Sequence, residues 1–246
     1  MVLSASALPS GADEAALLSG AADPPQRRVR WRAAVRIIPS RFPPVDLFER
    51  VADAADFDAL YAVESLTNAR LRDQVGEIEL VPREDRVYGP GSSYVMASFT
   101  HLNPGGGRFN DPTFGAFYAA RERSTAVAET SYHRARFLAA TREPPIELDM
   151  RVLEARFDAK LHDLRGAPLP RIRDPDTYVA GQQLARRLRA QRSAGLVYES
   201  VRRAGGQCVA ILRPRVIAEC RQAEHLVYAW DGSRIAAVYE KRRYAP

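Results

Sequence analysis

Lysine is almost missing from this chain: of 36 basic residues only Lys160 and Lys241 are lysines, and the rest are arginine. The formal charge of +6 and the pI near 9.6 therefore rest on arginine. Those arginines are interspersed with 30 Asp and Glu, and no stripe of aromatic residues runs between them. A nucleic-acid face needs clustered cations and stacking rings, so nucleic acid is not expected as a partner. Cysteine is as scarce. Cys208 and Cys220 have neither metal-ligand spacing nor the density of a secreted disulfide scaffold, which fits a reducing compartment. The four histidines, His101, His133, His162 and His225, form no HExxH pair, and no metal is expected. There is no G-x-S-x-G nucleophile elbow, and no Lys-Ser or Lys-Thr follows the glycine run at 105–107. A serine hydrolase and a P-loop nucleotide hydrolase are thereby set aside. No apolar run reaches bilayer-spanning length, and the first residues lack the charged start of a signal peptide. The expected location is the cytoplasm, away from membranes.

What is present suffices for a core. The chain has 246 residues, 46% of them hydrophobic, enough for one large domain. Residues 1–27, rich in Ala, Ser, Gly and Pro, read as a loose arm or peripheral helix, with a single folded domain over 28–246. Residues 33–40 read as a strand stopped by Pro39, and 44–74 as helical with starts at Asp46 and Asp56. Tyr94–His101 fits strand or helix. Ala116–Ala119 reads as a short strand, followed by a helix capped by Ser124 and running to about Arg136. Strands are then expected over 146–164, a helix over 175–190, and strands at 195–199, 207–212, 225–230 and 234–239. The class is α+β, with helices concentrated in the first half.

One stretch, GGGRFNDPTFGAFYAARERSTAVAET at 105–130, combines unusual ingredients. Gly105, Gly106 and Gly107 permit backbone angles closed to other residues and let a ligand approach the main chain. Arg108 adds a planar fork suited to phosphate or carboxylate. The same residues also suit a surface turn with a solvated arginine. Tyr118 in an apolar strand suits core packing as well as a ligand wall. Glu129, beside Ala126, Val127 and Ala128, is either the polar face of an amphipathic helix or a partly buried functional carboxylate.

Taken together the segment resembles the signature of the RES-domain family: a glycine, arginine, aromatic and asparagine turn (Gly107, Arg108, Phe109, Asn110), a strand tyrosine and a helix glutamate. RIIPSRFPP at 36–44 resembles the family's first strand with its arginine, here Arg36, and GLVYESVRRAGGQCVAILRP at 195–214 resembles its C-terminal strand, turn and strand with its serine, here Ser200. The resemblance implies the toxin of a bacterial type II toxin–antitoxin pair. It also implies an ADP-ribosyltransferase-like split β-sandwich with a helical N-terminal insert, and NAD as substrate. On that reading Glu129 stabilises positive charge developing on the ribose as nicotinamide leaves. Tyr118 lies against the cationic nicotinamide. Arg36 and Arg108 hold ribose and pyrophosphate, with Gly107 and Asn110 in the binding turn and Ser200 at the pocket wall.

The match has departures. Phe109 stands where the family usually has tryptophan, Glu199 where proline is common before the serine, and Val127 where arginine-targeting transferases carry a second glutamate. Arg36 stands where the related tyrosine-and-glutamate class has histidine. The long insert over 45–100 is expected to offer an acceptor surface, favouring transfer of ADP-ribose to a cellular protein and control by a cognate antitoxin. NAD hydrolysis or phosphorolysis, and a non-enzymatic nucleotide-binding module, are the alternatives.

Overall fold

The computed structural model describes residues 12–40, 47–51, 53–67, 75–242 and 244. The fold is α+β. Among the described residues seven strands run in the order β1-β2-β5-β4-β3-β6-β7, with an additional β1–β3 pairing. They are β1 (Gln26–Pro39), β2 (Phe117–Ala120), β3 (Ile146–Asp163), β4 (Gly195–Glu199), β5 (Gln207–Ile211), β6 (Ile217–Trp230) and β7 (Ile235–Lys241). Among the described residues the α-helices bounded at both ends are α1 (Ala12–Ser19), α2 (Ala54–Thr67), α3 (Ser92–Thr100), α4 (Arg123–Thr141) and α5 (Val179–Ala190).

The pairings divide the strands into two groups. Long antiparallel ladders join β1, β3, β6 and β7, and shorter ones join β2, β5 and β4. The groups meet at two corners, where Val35 of β1 opposes Ala120 of β2, and where the end of β3 runs parallel to the start of β4 at His162–Leu196. Beyond the Val35–Ala120 corner the sheet splits, and the cleft opens there, beside Arg36, Ile37 and Pro39 of β1 and Tyr118 and Ala119 of β2.

Three apolar clusters hold the layers together. One joins the sheet to the insert through Phe48, Phe57, Val75, Met96 and Phe99; a second lies under α5; the third lies under α4 with Ala126, Met150 and Tyr228. The insert supplies aromatic residues to this core: Phe48 stacks on Phe57 at 4.8 Å and both are about 1% exposed. Burial of such rings stabilises by roughly 1.5–3 kcal/mol each.

Several boundaries differ from the sequence expectation. Strand β1 starts at Gln26 rather than 33, because Val29 and Trp31 turn inward while Arg28, Arg30 and Arg32 stay in solvent. Of the arm expected over 1–27, the segment around α1 is anchored: Leu17 is buried, the Glu14 carboxylate accepts the Ile172 N–H at 2.9 Å, and Arg187 of α5 donates to the Ala22 carbonyl. Residues 1–11 and the expected helix start at Asp46 lie outside the described residues. Helix α2 is capped by Asp53, whose carboxylate accepts the N–H groups of Ala55 and Asp56. Tyr94–His101 resolves as mainly helix, within α3 and its C-cap. Helix α4 begins one residue before Ser124, with no side-chain cap, and runs to Thr141. Strand β6 starts at Ile217, eight residues before the expected boundary at 225, its N-terminal half pairing with β3.

Candidate active site

The split opens into a cleft of about 800 Å³, within the roughly 300–1,000 Å³ typical of ligand pockets. Its walls come from β1, β2, the 101–116 connection, α4 and the start of α5.

The glycine run forms a tight loop under this cleft. Gly106 has φ +65, and a Cβ there would lie 2.4 Å from the Asn110 carbonyl oxygen, so a side chain is excluded by angle and by space. Gly107 donates its N–H to that carbonyl at 2.8 Å. The Tyr118 hydroxyl accepts the Phe109 N–H and donates to Asn110 Oδ1, both at 2.8 Å. Asn110 in turn donates to the Phe114 carbonyl at 3.0 Å. Burial raises the Tyr118 phenol above its ordinary range, against the opposing pull of the Phe109 N–H and of Arg108. Gln182 of α5 donates to the Gly107 carbonyl at 3.1 Å from the other side. Asp111 closes the loop, accepting from Thr113 and from Arg186.

The two arginines differ. Arg36 lies on β1 at the split, its Nη1 donating to the Tyr118 carbonyl at 3.0 Å and its guanidinium 4.9 Å from the Phe117 ring centre. Its Nε is buried with no hydrogen-bond partner, and burial lowers its pKa to about 10. A buried cationic donor without an acceptor carries a desolvation cost that an anionic ligand would relieve. Arg108 is 8% exposed and donates Nη1 to the carbonyls of Ile172 and Asp174 at 2.9 and 2.6 Å. It also stacks over Tyr178, 4.8 Å from the ring centre. Part of its fork is therefore spent on holding the 172–178 segment in place.

Glu129 faces the cleft from α4, and its Oε1 accepts the Ser200 hydroxyl at 2.6 Å. Ser200 itself accepts the N–H groups of Arg202 and Arg203 at 3.1 and 3.0 Å. The turn after β4 thus delivers one oriented donor to one carboxylate. Tyr198, also on the wall, packs edge-on against Phe109 at 4.7 Å. Burial and the neighbouring Cys208 and Glu129 raise its phenol well above the usual value. One helical turn beyond Glu129, His133 lines the cleft; loss of solvent and the field of Arg202, Arg134, Arg108 and Arg136 lower its pKa.

Glu129, Tyr118, Arg36, Arg108, Gly107 and Asn110 thus all line one cleft, and Ser200 reaches it through Glu129. The Tyr118 hydroxyl and the Asn110 amide are engaged with each other and with the loop, so both also brace it. Phe109 is fully buried and substitutes for tryptophan as packing. Sequence reasoning missed Tyr178, Tyr198 and Gln182. The last two stand at period-compatible positions in β4 and α5 but carry no local motif. Cys208 and Cys220 are buried free thiols whose pKa burial raises, Cys220 to about 12. Among the described residues no group of His, Cys, Asp and Glu could hold a metal ion, and no helix is long and apolar enough to cross a membrane.

Comparison with known proteins gives three findings. Residues 83–231, more than half of the chain, match the model of the RES domain. The uncharacterized protein y4oC of Sinorhizobium fredii (strain NBRC 101917 / NGR234) is 32% identical over 206 residues, which cover 83% of this chain and 85% of that protein. Among solved structures, a chain of the M. tuberculosis MbcT–MbcA toxin–antitoxin complex aligns over 85% of this chain and 91% of its own, with 11% identity and a TM-score of 0.42.

Proposed function

The chain belongs to the RES-domain family, and from that premise we propose that its cleft binds NAD and breaks the nicotinamide–ribosyl bond, the activity of a toxin held in check by an antitoxin. The observation that carries this reading is the Glu129 carboxylate, oriented by the Ser200 hydroxyl at 2.6 Å, in a cleft whose walls include Tyr118, Tyr178, Tyr198, Arg36 and Arg108. NAD offers what those walls would take: a cationic ring for the aromatic faces and a pyrophosphate for guanidinium. As the C–N bond lengthens, nicotinamide leaves neutral with the bonding electrons and positive charge grows on the ribose. A fixed carboxylate facing that carbon stabilises the charge with no reorganisation at the moment of reaction.

Arg36 supplies the anion contact in this reading, through its unpartnered Nε. Arg108 contributes chiefly by holding the 172–178 wall, with its remaining donors available to phosphate. Burial first, and then the arginines around it, lower the His133 pKa, and that positive field supports an anionic ligand at this end of the cleft.

The acceptor of the ADP-ribosyl group is the finer question. The insert expected to form an acceptor surface has its described aromatic residues taken up in the core, which favours a small acceptor, water or phosphate. Transfer to a protein is the second reading, supported by the openness of the rim, where Phe137 and Val179 are 44% and 61% exposed. Such an enzyme would harm its own cell, and an antitoxin with an acidic segment fits the arginine-lined cleft. Purified protein with labelled NAD, in buffer, in phosphate and in cell lysate, tests all of this. Free ADP-ribose, its phosphate ester or a labelled protein band identifies the acceptor, and unchanged NAD in all three would overturn the proposal.

A further inference from the structure

We propose that Arg202 and Tyr132 are positioning residues that fix the Glu129 carboxylate through Ser200, by closing a ring of contacts back onto α4. The ring is readable link by link. Ser200 Oγ donates to Glu129 Oε1 at 2.6 Å and accepts the Arg202 N–H at 3.1 Å. The Arg202 side chain then folds over α4, its guanidinium carbon 3.3 Å from the centre of the Tyr132 ring. Tyr132 stands three residues after Glu129, one turn along the same helix face. Both ring members are also tied to the neighbouring segment: the Tyr132 hydroxyl donates to Asp176 at 3.3 Å, and Arg202 Nη2 donates to the Pro175 carbonyl.

A serine hydroxyl alone does not hold a glutamate, since both side chains rotate. Here rotation is removed from both ends. The turn that carries Ser200 is clamped to α4 by the Arg202–Tyr132 stack. At its far end it is seated by Gly206, where a Cβ would lie 2.7 Å from the Thr125 side chain. Glu129 is thereby placed by a turn contributed 71 positions later in the chain. A planar guanidinium over an aromatic ring is a directional contact that a lysine ammonium does not reproduce.

This inference rests on the reading of Glu129 as the carboxylate that serves NAD cleavage, and the experiment separates the two. Nicotinamide release is measured for Arg202→Met, Tyr132→Leu and Tyr132→Phe, in the parent and in a Glu129→Gln background. The expected result is a kcat about tenfold lower for Arg202→Met and Tyr132→Leu with KM for NAD within about twofold, as for a displaced reacting group. Tyr132→Phe, which keeps the stacking ring, stays near the parent. In the Glu129→Gln background Arg202→Met costs nothing further. An equal loss in that background, a change in KM alone, or damage by Tyr132→Phe equal to that of Tyr132→Leu would each overturn the proposal. Where Arg202→Met fails to fold, Arg202→Lys gives the same readout, because it keeps the charge and loses the stack. A crystal structure of the Arg202 variant reads positioning without activity: the Ser200 Oγ to Glu129 Oε1 distance is expected to open beyond 3.5 Å, and an unchanged 2.6 Å contact refutes positioning. If the parent does not cleave NAD while the variant still loses this contact, the proposed function falls and the positioning role stands.

Discussion

The Tyr118 hydroxyl sits between the Phe109 N–H and Asn110 Oδ1, 2.8 Å from each, and so ties strand β2 to the glycine loop. A tyrosine read from the sequence as a stacking wall is also the latch of the loop beneath the cleft. Tyr118→Phe would keep the ring and leave a buried N–H and a buried amide oxygen unpaired. The expected cost is about 1–3 kcal/mol, seen in thermal unfolding as roughly 2–4 °C per kcal/mol for a chain of this size. NAD affinity should fall with it. A Phe variant that melts and binds like the parent would show the latch to be unimportant. Gly107→Ala attacks the same latch from the loop side, since the added Cβ lies 2.6 Å from Asn110 Oδ1.

Glu129→Gln removes charge with little change of shape. Turnover is expected to fall by roughly a hundredfold or more, with melting temperature and NAD binding close to the parent. Ser200→Ala removes the orienting donor and leaves the charge, so a smaller loss, about tenfold, is expected in kcat. Steady-state nicotinamide release checks both, and a Ser200→Ala protein worse than Glu129→Gln would reverse the assigned roles.

Arg36 and Arg108 should separate in two different assays. Arg36→Gln removes the unpartnered Nε together with the Nη1 donor to the Tyr118 carbonyl, so binding of ADP-ribose by calorimetry should weaken by about tenfold or more, with the relieved desolvation offsetting the lost hydrogen bond and stability close to the parent. Arg108→Ala removes the donor to the Ile172 and Asp174 carbonyls, so its main effect should be a lower melting temperature.

Acid should destabilise the loop through Asp111. Burial opposes ionisation of this carboxylate, but Thr113 and Arg186 outweigh it and hold its pKa below the ordinary value. A carboxylate depressed in the folded state binds fewer protons than in the unfolded chain, so its contribution is fully present above the unfolded pKa, about 3.9. It is lost as pH falls through the lower folded value. Melting temperature should therefore be flat in this respect from neutral pH to about 5 and decline below about 4, and Asp111→Asn should show a shallower decline. A parent and variant that fall in parallel would remove Asp111 from the account.

Much of the architecture was legible locally. Strands β4 and β5 stand where alternation and turn residues put them, and Gly106 is required by a backbone angle that the glycine run already signals. Helix α4 was legible as a helix carrying Glu129, because Ala, Val and Glu at helical spacing need no distant partner to favour that state. The start of β1 was not. Arg27, Arg28, Arg30 and Arg32 resemble solvated coil until β3 supplies the ladder that makes alternate residues inward-facing. The partners that Phe48, Phe57 and Phe99 find in the core were not legible either, since local periodicity says that a helix has an apolar face and not which surface will cover it.

The amino-acid order by itself determined the inventory of the site: one loop able to approach a ligand, two arginines, a strand tyrosine, a helix glutamate and a serine turn. Tertiary structure decided how each is used. A register shift in β1 between Trp31 and Ala34 changes which residues face each side and so sets where Arg36 points. The corner at Val35 and Ala120 opens the sheet beside it. Hydrogen bonds then divided the polar groups into those satisfied by the fold, as in Asn110, the Tyr118 hydroxyl and part of Arg108, and those that keep an unpartnered atom or a single side-chain donor at the cleft, as in Arg36 Nε and Glu129. That division depends on partners 64 to 71 positions away for Arg108 and Glu129, and distances of that kind are closed only by folding.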